Sequence, residues 1–317
     1  MAAESSSKVA VVAALIGNLL VAITKGIAAG LTGSSSMLSE AVHSLVDTVN
    51  EVLLLYGMRR AAQRADAYHP FVYGRELYFW SFVVALLIFS LGAGVSIFEG
   101  IGHVRQPVPV TDPYINYIVL GLAFLFEGGS WLVSLRQFRA AKGDLGWFEA
   151  FRRSKDPPSF MVLFEDSAAL IGIVLAALGT YGSASLGLPV LDGVASILIG
   201  VVLAVTSMLL ARESKSLLVG ERADRGLTDA ILRIASAVPG VEAANGVVTT
   251  QMGPDQIVAA LSIDFADAVS ARDVETIIED IERRVRAQWP EVINLFVKPQ
   301  SRAAYEAALS RHYGAAT

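Results

Sequence analysis

Between Met37 and Met58 the chain is long and apolar enough to cross a bilayer, yet this stretch carries Glu40, His43, Asp47, Asn50 and Glu51. An ionisable side chain at membrane depth costs about 2.5–3.5 kcal/mol on insertion scales, so several in one span require compensating partners. His43 and Asp47 are four residues apart and share one helix face. A neutral imidazole stacked over a carboxylate is half of a tetrahedral divalent-metal site. The plainer alternative is a polar clamp between helices, with no metal.

Of the 317 residues, 54% are hydrophobic and 17% charged, against about 25% charged in a soluble domain. The deficit predicts an integral membrane protein, and the length allows a membrane domain with one small soluble domain. No cysteine is present, which excludes disulfides and thiolate metal sites. The net charge of −5 argues against a nucleic-acid partner. The opening MAAESSSK lacks the marks of a secretory signal, so the first apolar run reads as a retained span.

Six apolar runs fit transmembrane helices, at about 9–30, 37–58, 77–101, 114–135, 160–181 and 190–211. Basic residues gather between the second and third (Arg59, Arg60, Arg64, Arg75), around the fourth-to-fifth connection (Arg136, Arg139, Lys142, Arg152, Arg153, Lys155) and after the sixth (Arg212, Lys215). The intervening loops are poor in them, which predicts that both termini are cytoplasmic. In the first run, Lys25 can snorkel outward, and Asn18 either bonds across helices or lines a cavity. Glu127 in the fourth either pairs inside the bundle or accepts protons. The fifth run holds Glu165 and Asp166, and Asp166 is the expected partner of His43 and Asp47. Counted from these boundaries, Asp166 sits about one turn shallower than Asp47. Asp192 opens the sixth helix, where an acid favours the helix dipole.

After about Glu221 the patterning changes. A helical stretch (LTDAILRIASAVPGV) precedes two alternating strands joined at Gly253-Pro254-Asp255. A charged amphipathic helix capped by Ser270 follows, then a last short strand, NLFVKP. The order α-β-β-α-β predicts a ferredoxin-like α+β domain. The expected architecture is therefore an α-helical membrane protein: a six-helix domain over 1–215, a cytoplasmic α+β domain over 216–300, and a tail over 301–317.

SSSMLSEAVHSLVDT resembles the second-helix signature of the cation diffusion facilitator family of divalent-metal/proton antiporters. AYHPFVYGRE resembles the loop after that helix, and LDGVASILIG the start of the sixth. The resemblance runs to about Pro299. It implies that His43, Asp47 and Asp166 are metal ligands, that the chain is a homodimer, and that it lies in the cell (inner) membrane. The family's fifth-helix histidine falls on Val162, which cannot bind metal. Glu165 can supply that donor, as in a branch whose fifth helix resembles Leu-x-Glu-Asp; Asn50 and Glu127 are further candidates. In the loop, Asp66 and His69 match a secondary metal pattern, Asp-x-x-His-x-x-x-His, but its last position is Tyr73. The competing reading of that segment is a solvated turn. The soluble domain holds no histidine before His312, so its expected part is dimerisation rather than metal sensing.

Metal ligands must be deprotonated, so a divalent ion and protons compete for one such site. That competition is the physical basis of antiport. His43 favours zinc-like ions and titrates near physiological pH. Carboxylate-rich ligation also admits manganese or iron(II). The resemblance implies export of a divalent cation from the cytoplasm, zinc first, in exchange for protons, with the metal as cargo and no resident cofactor. Two other classes stay open: a transport-dead scaffold or metal sensor acting through its cytoplasmic domain, and an intramembrane aspartyl protease using Asp47 and Asp166. The protease lacks its Gly-x-Gly-Asp context. No enzyme activity is expected.

Overall fold

The computed structural model describes residues 2–313. Residues 314–317 of the tail lie outside the described residues, as do the side chains of His312 and of most of the first span before Gly17. The chain divides into two compact units. One holds the residues up to Arg60 with Glu76–Lys215; the other joins Ala61–Arg75 to the segment from Ser216 onward.

The first unit is helical. It contains α1 (Ala2–Thr32), α2 (Ser35–Ala61), α3 (Arg75–Arg105), α4 (Pro113–Lys142), the short α5 (Trp147–Arg153), α6 (Pro157–Ser185) and α7 (Val190–Val219). Four described helices, α3, α4, α6 and α7, are long and apolar enough to cross a membrane. Helix α2 has the length, but its acids lower its hydropathy. In α1 the described apolar segment is Gly17–Thr32. Gly33 turns the chain from α1 into α2 at φ +67°, a conformation glycine adopts without strain. Pro157 at the first turn of α6 is preset for a helix start. Two features escape the apolar pattern: α5, and a π-helical turn at Ile88–Ala93 inside α3.

The burial pattern is reversed from that of a soluble bundle. Leu20, Ile27, Leu122, Leu125 and Leu178 are exposed, whereas Lys25, Glu40, Asn50 and Asp192 are fully buried. Lipid tails reward this arrangement, because apolar side chains cost nothing outside and polar ones find partners inside. Helices α3 and α7 meet through small residues: a Cβ on Gly200 would lie 2.6 Å from Ile97 and 3.0 Å from the Ala93 carbonyl. Ser39 on α2 joins this pair through Ser196 (2.6 Å), which donates to the Ser96 carbonyl (2.8 Å).

The second unit follows the order α8 (Arg225–Ser236), β1 (Val241–Gly253), β2 (Gln256–Phe265), α9 (Ala271–Gln288), β3 (Val292–Pro299), α10 (Arg302–Tyr313). The sheet order is β1-β2-β3, with β1 and β2 antiparallel and β2 and β3 parallel. The β1–β2 turn is tight, as Pro254 and Asp255 suggest. The parallel β2–β3 pair needs a crossover, and α9 supplies it. Ser270 and Asp273 form a reciprocal capping box at the start of α9. Leu227 and Ile231 of α8 and Ile281 and Val285 of α9 pack with Ile257, Leu261 and Ile263 of β2 in one core. The segment Ala61–Arg75 belongs to this unit. Phe71 sits edge-on to Phe296 at 6.0 Å, and a Cβ on Gly74 would overlap the Met252 carbonyl and the Gln256 side chain.

Candidate metal site in the helical unit

One small cavity of about 50 Å³ opens between α1, α2, α4 and α6. That is room for an ion with a partial water shell. Its walls include Asp47 and Glu51 of α2, Glu127 and Ser130 of α4, Val162, Glu165 and Asp166 of α6, and Asn18 of α1. Asp47 and Asp166 therefore face one space, despite the one-turn difference in depth counted from the sequence. Helix α6 starts at Pro157, three residues before the apolar run suggests, and α2 likewise ends at Ala61, three residues beyond its run, so the count along the two helices is unchanged.

His43 is 1% exposed and is not among the lining residues. Its Nδ1 lies 3.3 Å from Asp47 Oδ1, and neither ring nitrogen has a hydrogen-bond partner. Glu165 is 7% exposed, and its Oε1 is buried without a partner, as is Asp47 Oδ1. Buried polar atoms without partners are rare and ask for an explanation, an ion included. Asp166 is better held: Ser130 and Ser134 of α4 both donate to its Oδ2, at 3.0 and 3.3 Å. Among the described residues, no three histidine, aspartate or glutamate side chains are gathered closely enough to hold an ion as they stand.

The remaining sequence candidates separate. Asn18 donates to Glu51 Oε1 at 2.7 Å, so it both bonds across helices and lines the cavity. Asn50 is fully buried, with neither amide atom partnered, and does not line the cavity. Glu127 pairs inside the bundle: its Oε1 accepts from Lys25 at 2.8 Å. The expectation that Lys25 snorkels outward is corrected. Its ammonium is fully buried and also donates to Glu40 Oε2 (3.0 Å) and Ser44 Oγ (2.8 Å), because two acids and a hydroxyl inside the bundle replace water for it. Asp192 lies in the first turn of α7, as expected, and has a second role. Its carboxylate accepts from Ser34 Oγ (2.8 Å), Ser36 Oγ (2.5 Å) and the Ser35 and Ser36 amides (2.5 and 3.3 Å). It also caps the start of α2 from across the bundle, since the first amides of α2 lack intrahelical acceptors.

Asp66 and His69 lie in the other unit. Asp66 Oδ1 accepts from the amides of Tyr68 (2.9 Å) and His69 (2.7 Å), and Oδ2 accepts from the Tyr73 hydroxyl at 2.6 Å. The Tyr73 hydroxyl and these amides hold the Asp66 carboxyl below the usual aspartate range. Both oxygens are thus spent on the turn. Sequence reading noted Glu51 without giving it a place in the site, and passed over Ser130 and Ser134. Their signals are the four-residue spacings from Asp47 to Glu51 and from Ser130 to Ser134, which keep each pair on one helix face.

A multi-helix apolar unit with acids turned inward, joined to a small mixed-sheet domain, is the form of a membrane transporter. The cation efflux transmembrane domain matches residues 11–219, and the chain belongs to that family of multi-pass membrane proteins, the cation diffusion facilitators, whose members are transporters rather than enzymes. It is 32% identical over 274 residues to the proton-coupled zinc antiporter SLC30A9, mitochondrial, of Xenopus laevis, covering 83% of this chain and 49% of that one. It is 28% identical over 291 residues to metal tolerance protein C4 of Arabidopsis thaliana, covering 91% and 62%. It is 26% identical over 294 residues to the cation-efflux pump FieF of Escherichia coli O1:K1 / APEC, covering 90% and 89%. The chain spans about half the length of the Xenopus relative.

Proposed function

We propose that the protein exports a divalent cation, zinc before manganese or iron(II), from the cytoplasm in exchange for protons. The observation that carries this reading is the single cavity shared by Asp47, Glu165 and Asp166, with His43 against Asp47. Glu165 takes the part that an imidazole at Val162 would otherwise play. The ion is cargo: closure of α2 against α6 brings the donors onto it, and the buried carboxylates take protons when it leaves. Six spans, α1 to α4, α6 and α7, carry the path, with both termini cytoplasmic and an inner-membrane location. The transport domain is residues 1–215. The ferredoxin-like domain, residues 216–300 and followed by the tail, serves dimerisation. Similarity to a proton-coupled zinc antiporter supports the coupling and the choice of metal.

The test is zinc flux in proteoliposomes with an imposed pH gradient. Wild type is expected to move zinc against protons, and Asp47→Ala and Asp166→Ala to lower the rate at least tenfold. A wild type that moves no divalent metal refutes the reading. The ungathered donors favour one other reading, a transport-dead sensor, and that protein would bind zinc without flux.

A further inference from the structure

The Lys25 ammonium is not needed for the metal site, yet it is one of the most completely enclosed charges in the helical unit. It comes from α1 and donates to Glu40 Oε2 and Ser44 Oγ of α2 and Glu127 Oε1 of α4, at 3.0, 2.8 and 2.8 Å. An ammonium has three donors, and here each has one oxygen. Glu40 is fully buried, and its Oε1 has no hydrogen-bond partner; nor has Glu127 Oε2. Room for the Glu40 head group exists because α6 presents Gly172 there, where a Cβ would overlap Glu40 Oε1. The result is an all-oxygen cage from two helices, closed by a cation on a third. Ser44 and Glu127 also line the cavity that holds Asp47, Glu165 and Asp166, so cage and cavity adjoin.

We propose that this cage is a second cation position and that Lys25 is its tethered occupant. The ammonium keeps the position closed to free ions; without it, the cage takes a hard divalent cation such as Mn²⁺ or Mg²⁺. Two carboxylates match the charge of one such ion. Oxygen donors without imidazole or thiolate suit Mn²⁺ and Mg²⁺ better than zinc. Lacking the tether, the acids beside the cavity would collect a second ion from the cytoplasmic pool. With it, the cavity is held to a single cargo ion. The cage stands on the contacts of Lys25 alone; the statement about cargo rests on the transport reading.

The experiment is Mn²⁺ binding to the full chain in detergent, followed by electron paramagnetic resonance and calorimetry. Lys25→Ala is expected to bind a further Mn²⁺ per chain beyond wild type. Lys25→Arg, which keeps a cation in place, is expected to bind as wild type does. Lys25→Ala with Glu40→Gln is expected to lose the added ion. Removing one partner of a buried pair destabilises the rest, so Lys25→Ala is expected to melt below wild type. Mn²⁺ should then raise its melting temperature by more than it raises that of wild type. An unchanged Mn²⁺ stoichiometry overturns the proposal. So does a destabilised Lys25→Ala protein that Mn²⁺ stabilises no more than wild type. Zinc binding to the same wild-type sample separates the two readings: its absence would overturn the transport site and leave the cage standing.

Discussion

Two serines decide how well Asp166 is aimed. Ser130 and Ser134 hold one of its oxygens, and the other is the one proposed to meet an ion. Partners behind a ligand are typically worth 10–100-fold in metal affinity. Replacing both serines with alanine should weaken zinc binding about tenfold, read by calorimetry, while the protein stays folded. At Asp66 the chemistry is different. A carboxyl held below its ordinary range stabilises the fold above its unfolded value, and that contribution is lost as pH falls through the folded value. Tyr73→Phe removes the largest cause of the shift, so the segment Ala61–Arg75 should lose hydrogen-exchange protection at a higher pH than in wild type. The His43–Asp47 spacing was legible because a helix fixes its own faces. The fate of Lys25 was not: snorkelling and pairing give the same sequence, and only the meeting of α1 with α2 and α4 chooses between them.

At the scale of elements, each of the six apolar runs falls within a long described helix, and four of those helices are apolar enough to cross a membrane. The runs did not fix helix ends. Helix α6 starts at Pro157 and α2 ends at Ala61, each three residues beyond its apolar run, so the cavity shared by Asp47 and Asp166 could not be read by counting along either helix. Helix α5 and the π-helical turn in α3 were not legible, because neither changes the hydropathy pattern. Asp192 joins α7 to the start of α2 with a fully used carboxylate. Asp192→Ala would remove the acceptor of the Ser35 and Ser36 amides and of the Ser34 and Ser36 hydroxyls. Hydrogen bonds to a charged group are worth about 1.5–3 kcal/mol each, so a loss of about 3 kcal/mol is expected in unfolding from detergent. Gly172→Ala tests the contact between α2 and α6. Its methyl would push Glu40 off Lys25, and the melting temperature should fall although Ala is the better helix former.

Over the whole molecule, apolar side chains cover the helical unit and charges lie within it, while the mixed-sheet unit has an ordinary apolar core of its own. The buried acids of the helical unit need an offset, whether a cation, a proton, or hydrogen-bond donors such as those around Asp192. Lys25 does this for Glu40 and Glu127. The account assigns Asp47, Glu165 and Asp166, with His43, to a metal ion that protons displace. Zinc-edge anomalous diffraction from zinc-loaded crystals tests this most directly. The account predicts one strong peak between α2 and α6 within bonding distance of Asp47 and Asp166, weakened as the crystals are brought to acid pH. A peak elsewhere in the helical unit, or no peak at saturating zinc, would contradict it.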